Sequence, residues 1–126
     1  MSKQVLVVED EVNIAESLTF ILTRAGFDVT VVRDGPEALE RVGALAPDVV
    51  LLDVMLPSMT GYDVLSKLRE THATADLPVV VLTAKGQDSE REAARTLGAN
   101  MFVTKPYRND EVIDAVRQLC GNDQDA

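Results

Sequence analysis

"DVVLLDVMLP", residues 48–57, runs an apolar stretch straight into a carboxylate. Val49, Val50, Leu51 and Leu52 show no polar alternation, which is the pattern of a strand buried on both faces of a parallel sheet. Asp53 then places a charge at the end of that strand. Desolvating a carboxylate is costly unless something compensates it. What Asp53 faces is therefore the question from which the rest of the chain is read.

Four more apolar runs of strand length flank it: "QVLVV" (4–8), "FDVTVV" (27–32), "LPVVVLTA" (77–84) and "NMFVTK" (100–105). Between and after them lie helical patterns. The first, over 11–26, sets Ile14, Leu18, Ile21, Leu22 and Ala25 at helical spacing, with Gly26 suited to follow its C-terminus. The second, over 34–46, carries Pro36 in its first turn and Ala38, Leu39, Val42 and Leu45 on one face, with Gly43 as a weak point. The third, over 60–70, starts at a Thr60 cap with Asp63 three residues on. The fourth, over 88–98, has Ser89 and Glu92 at capping-box spacing and closes at Gly98. The fifth, over 109–121, is capped by Asn109, buries Val112, Ile113, Val116 and Leu119, and ends at Gly121. Apolar strands separated one by one by helices predict an α/β fold, a doubly wound (βα)5 domain with a five-stranded parallel sheet.

The 126 residues suffice for one domain with its own core. We expect that domain over 1–121 and a short polar tail over 122–126, with no output domain. Cys120 is the single cysteine and has no internal partner for a disulfide. The apolar runs are too short to cross a membrane, and the first strand begins at once, leaving no room for a secretory signal; a cytoplasmic location is expected. The net charge of −9 argues against direct contact with nucleic acid, which calls for clustered Lys and Arg. His72, the only histidine, lies in the polar loop "ETHATAD" and is expected to be solvated.

In doubly wound folds, sites form at the carboxyl ends of the strands. Glu9 and Asp10 follow the first strand here, Asp53 ends the third, Thr83 ends the fourth, and Lys105 and Pro106 follow the fifth. Three acids on one edge repel one another unless a cation is present, and hard oxygen donors favour Mg²⁺, with Mn²⁺ a possible substitute. With a lysine and a hydroxyl added, the set suits a phosphoryl group: Lys105 and the metal neutralise its oxygens, Thr83 donates to it, and Asp53 is the nucleophile.

The segments "VVED" (7–10), "LLDVMLPSMTG" (51–61), "VVVLTAKG" (79–86) and "FVTKP" (102–106) together resemble the response-regulator receiver domains of the CheY-like family, over residues 4–119. The resemblance implies a flavodoxin-like sheet in the order 2-1-3-4-5 and a switch in a two-component or phosphorelay pathway of bacteria. It makes Asp53 the phosphoacceptor, Asp10 a direct metal ligand, Glu9 a ligand through water, and the Met55 backbone carbonyl a further ligand. Thr83 and Lys105 would contact the phosphoryl group, Phe102 would be the switch aromatic beside Thr83, and the bond to Pro106 would be cis. Met55 and Lys85 would flank the path of the hydrolytic water and set the lifetime of the phosphorylated state. The implied partners are a sensor histidine kinase or histidine phosphotransfer protein and an effector protein. The effector would meet the face of the fourth helix, fifth strand and fifth helix. The chain would be a monomer or weak dimer: Asn100, Met101 and "EVIDAV" lack the charged residues of the dimer mode used by receivers of winged-helix transcription factors.

Other classes fit less well. A haloacid-dehalogenase-type hydrolase needs a second aspartate two residues after the nucleophile, where Met55 stands. A flavin carrier needs a Ser/Thr/Gly-rich loop after the first strand, where "EDEVN" stands. An interaction module without phosphorylation would have no use for the full set of site residues. We therefore expect a switch that takes up and slowly loses a phosphoryl group, and no turnover enzyme.

Overall fold

The apolar runs pair side by side as one parallel sheet. In the computed structural model, which describes residues 3–83, 92–93 and 95–120, the strands are β1 (Gln4–Val8), β2 (Asp28–Val32), β3 (Val49–Asp53), β4 (Val79–Thr83) and β5 (Met101–Thr104). Their order is β2-β1-β3-β4-β5, so the chain reverses direction across the sheet between β1 and β3. That places β1 and β3 side by side, with Val8 opposite Leu52, and brings the residues after β1 next to Asp53. On its other side Asp53 pairs with Leu82, one step before Thr83.

Strand residues divide alternately between two cores. Leu6, Val8, Val50, Leu52, Val79 and Val81 point to one face, beneath α2 (Gly35–Leu45) and α3 (Gly61–Glu70). Val5, Val7, Val49, Leu51, Val80 and Leu82 point to the other, beneath α1 (Val12–Arg24) and the C-terminal helix (Asn109–Cys120). Burial on both faces explains why β1, β3 and β4 lack polar alternation, whereas the edge strand β2 carries it in part.

The helix ends follow local chemistry. Thr60 and Asp63 form the reciprocal capping box at the start of α3, Asp34 caps α2 with Pro36 in its first turn, and Gly26 follows α1 at φ +102°. α2 ends on Ala46 in the left-handed region at φ 50°, without the glycine usual there. One expectation is corrected. Asn109 is the first residue of the C-terminal helix and not its cap: the carbonyl of Arg108 already accepts from Glu111, and Glu111 Oε1 accepts the Arg108 N–H at 2.7 Å. His72 opens a 3-10 turn (His72–Thr74) and is exposed, as a solvated histidine should be. Of the predicted fourth helix, Glu92, Ala93, Arg95 and Thr96 are helical and Gly98 follows them at φ +104°. Its expected start at Ser89 lies outside the described residues, as do Lys85, Gly121 and the tail 122–126. Among the described residues no helix is long and apolar enough to cross a membrane.

Candidate functional site

The carboxyl edge of the sheet opens into a cleft of about 520 Å³ lined by Glu9, Asp10, Asp53, Met55, Thr60 and Lys105 among others. A roomier, apolar groove of about 640 Å³ runs along α1 and shares Glu9 as a wall. Glu9, Asp10, Asp53 and Lys105 all line the smaller cleft. Gly61 shapes its floor: the Gly61 N–H donates to the Val54 carbonyl at 2.9 Å, and a Cβ at this position would collide with the backbone of Asp53 and Val54. This close approach is the physical reason for the glycine in "SMTG".

Asp53 is only 3% exposed, and its burial is compensated by Lys105, whose Nζ donates to Asp53 Oδ1 at 3.1 Å. Lys105 reaches the cleft from β5, next to a cis peptide bond to Pro106, and its own N–H donates to the Thr83 carbonyl at 2.7 Å. The same ammonium lies 3.8 Å from Glu9 Oε1. Thr83 is buried at the end of β4. Carboxylate oxygens of Glu9, Asp10 and Asp53 come within 4.8 Å of one another, a donor set that could hold a metal ion.

Glu9 is buried, at 1% exposure. One of its oxygens, Oε2, accepts the Glu11 N–H at 3.1 Å; the other, Oε1, is buried and has no hydrogen-bond partner. Burial pushes the Glu9 carboxyl from 4.5 up to about 7; the charge of Asp53 adds to the rise, while the Glu11 N–H and Lys105 oppose it. A buried carboxylate oxygen with no partner, aimed among two other acids, is what a hydrated divalent cation would satisfy, so the residues present fit Mg²⁺.

Met55 lines the cleft and is 71% exposed. Phe102 is not in the cleft. It is half-buried on β5 opposite Val81, packs against the core beneath α2 and α3, and lies under the Arg95 guanidinium at 5.6 Å. Two neighbours of the site were not anticipated. Arg33, at the end of β2, donates from NH2 to the Asp10 carbonyl at 3.1 Å and so braces the loop after β1. Tyr107, one residue after Pro106, has its phenol pushed up by burial and by the charges of Glu9 and Asp53. The strand-end rule would have found Arg33 had it been applied to β2 as well.

A parallel sheet in the order β2-β1-β3-β4-β5, with an acidic cleft and Lys105 at its carboxyl edge, defines a flavodoxin-like domain of the CheY type. The chain belongs to the response regulator receiver domain family, whose model matches residues 5–117. The sensory transduction protein RegX3 of Mycobacterium tuberculosis is 43% identical to it over 124 residues, covering 97% of this chain and 53% of RegX3. The chain thus spans about half the length of the curated relatives it matches. Among solved structures, the receiver domain of the Francisella response regulator 1452 matches with a TM-score of 0.90 at 31% identity, covering 95% of this chain and 98% of that one. The receiver domain of the sensor histidine kinase PA1611 from Pseudomonas aeruginosa matches with a TM-score of 0.88 at 26% identity, covering 97% of this chain and 100% of its own. That domain was solved with a magnesium ion coordinated in its active-site cleft.

Proposed function

We propose that this receiver domain takes a phosphoryl group from a phosphohistidine of a sensor kinase or phosphotransfer protein onto Asp53. The observation that carries the reading is the Asp53–Lys105 pair, buried at 3.1 Å among two further acids. An oxygen of Asp53 attacks phosphorus as the phosphorus–nitrogen bond of the donor breaks in line; with the donor ring protonated on its other nitrogen, the bonding pair leaves on a neutral imidazole and an acyl phosphate remains on Asp53. Lys105 Nζ, which donates to Asp53 Oδ1 in the resting protein, passes to a phosphoryl oxygen as negative charge moves outward. Thr83 donates its hydroxyl hydrogen to another. Asp10, Asp53, Glu9 through water and the Met55 carbonyl would hold Mg²⁺, which supplies charge neutralisation for the phosphoryl oxygens.

The switch follows from what those new bonds displace. Drawing Thr83 and Lys105 toward the phosphoryl group shifts the end of β4 and frees room for Phe102, which reshapes the surface of β5 and the helices beside it. Moving a two-state equilibrium from 1:99 to 99:1 takes about 5.5 kcal/mol. Two charge-assisted hydrogen bonds supply about 3–6 kcal/mol, so the shift is incomplete until a protein partner binds the new face.

Lifetime is set by access of water to the face opposite the aspartyl oxygen. Met55 cannot orient a water by a strong hydrogen bond and Lys85 cannot act as a base, so the phosphorylated state is long-lived, suited to holding or relaying a signal. The test of the central claim is incubation with Mg²⁺ and a small acyl-phosphate donor, followed by intact mass. Wild type gains one phosphoryl group and Asp53→Asn gains none. Equal labelling of Asp53→Asn would show that another residue accepts the group.

A further inference from the structure

The contacts of Arg69 leave its own helix. From the last turn of α3 its Nε and NH2 donate to the Gly98 carbonyl at 3.0 and 2.8 Å, NH1 donates to the Thr74 carbonyl at 3.1 Å, and NH2 also donates to Asn100 Oδ1 at 2.9 Å. Asn100 Oδ1 is thereby aimed at β4, where it accepts the Val79 N–H at 2.8 Å, and the Asn100 N–H donates back to the Val79 carbonyl at 3.0 Å. Gly98 belongs to the same arrangement: at φ +104° it favours glycine, and a Cβ there would lie 2.9 Å from Arg69 Nε. The cation takes the Gly98 carbonyl just past the helical residues Glu92, Ala93, Arg95 and Thr96, where carbonyls lack partners of their own.

One half-buried guanidinium therefore ties together α3, the 3-10 turn, the end of the helical segment, the first residue of β4 and the residue before β5. All of this lies at the amino ends of β4 and β5. The acid cleft lies at their carboxyl ends, about 13 Å away at roughly 3.3 Å per residue from Val79 to Thr83. There the two strands are joined by the Lys105 N–H to the Thr83 carbonyl at 2.7 Å. A strand pair pinned at one end and pulled at the other can only tilt; unpinned, it can slide and dissipate the displacement.

We propose that Arg69 is a positioning residue that fixes the pivot of this switch, holding the amino ends of β4 and β5 in place while their carboxyl ends respond at Asp53. The second half of this proposal rests on phosphorylation of Asp53; the first half does not. Phe102 stands two residues beyond Asn100, so the pivot also confines the response to the neighbourhood of that ring. The planar fork of arginine is required, because a lysine ammonium cannot span the Gly98, Thr74 and Asn100 acceptors at once.

The test uses the full chain as wild type, Arg69→Ala and Arg69→Lys, with amide hydrogen exchange read by residue and phosphorylation followed by intact mass. In the resting protein, Arg69→Ala should speed exchange at Val79 and Asn100 by roughly tenfold or more, leaving Val7 and Leu51 at wild-type rates; Arg69→Lys should fall between. With Mg²⁺ and the acyl-phosphate donor, all three should gain one phosphoryl group. The change in exchange should then spare Val79 and Asn100 in wild type, and reach them in Arg69→Ala. Wild-type exchange at Val79 and Asn100 in resting Arg69→Ala overturns the anchor. A response in phosphorylated Arg69→Ala as confined as that of wild type overturns the pivot. If Arg69→Ala does not fold, Arg69→Lys carries the same comparisons. Failure of wild type to gain mass removes the Asp53 reading and with it the pivot, while the resting comparison still decides the anchor.

Discussion

Replacing Glu9 with glutamine should make the metal-free protein more stable, and by an amount that grows with pH. The carboxyl is buried, one oxygen lacks a partner, and its proton is held up to about pH 7 where an unfolded chain would release it near 4.5. Below about 4.5 both states are protonated and wild type pays no penalty. Between 4.5 and about 7 only the unfolded state ionises, so stability falls as pH rises; above about 7 the whole penalty is present. The interval from 4.5 to about 7 sets a ceiling of about 3 kcal/mol. Coupling to Asp53 and Lys105 reduces what one substitution recovers to about 1–3 kcal/mol. For a domain of this length that is a rise of about 4–10 °C in Tm. The assay is thermal unfolding of Glu9→Gln and wild type without divalent metal, at steps from pH 4.5 to 8.5. The difference should widen through that range and level off near its top. A difference that stays flat across the range would refute the reasoning. In a second arm, saturating Mg²⁺ should raise the Tm of wild type more than that of Glu9→Gln, because the variant has lost the charge that the cation satisfies.

Lys105→Ala should cost about 2–4 kcal/mol in urea unfolding at pH 8 without metal, since Asp53 and Glu9 lose their buried counter-charge, and Mg²⁺ should recover part of it; an unchanged midpoint would count against the pair. Asp10→Ala should weaken Mg²⁺ binding in a calorimetric titration by tenfold or more, and equal affinity would exclude Asp10 as a ligand. Thr60→Ala removes one half of the capping box of α3 and should lower stability by about 1 kcal/mol, read from the urea midpoint. Met55→Asn combined with Lys85→Glu should place water-orienting groups on the hydrolytic path and shorten the phosphorylated lifetime severalfold, followed by decay of the phosphoryl mass; unchanged decay would mean that these two side chains do not set the clock.

Much of this domain was legible along the chain because burial on both faces leaves a local trace. Runs such as Val49 to Leu52 have no polar face, so strand positions and the presence of covering helices could be read without a structure. The Thr60–Asp63 box and Gly26 were legible for the same reason: each is a contact within a few residues. The set Glu9, Asp10, Asp53, Thr83 and Lys105 could be proposed from strand ends alone, because a parallel sheet turns every strand end to one edge. The strand order, however, came by resemblance to a family, since nothing in the spacing says that β3 lies beside β1.

Determined by the sequence alone, then, were the element types, the edge at which chemistry gathers and the donor types gathered there, all of which follow from local patterns and one topological rule. The tertiary structure decided what those groups do to one another. It buried Glu9 and left one of its oxygens without a hydrogen-bond partner. It brought Arg33 to the Asp10 carbonyl across 23 positions and Arg69 to the Gly98 carbonyl across 29, distances in sequence that no periodicity encodes. Proton affinity and long-range bracing depend on solvent exclusion and on side chains meeting in space, and both exist only once the sheet has closed.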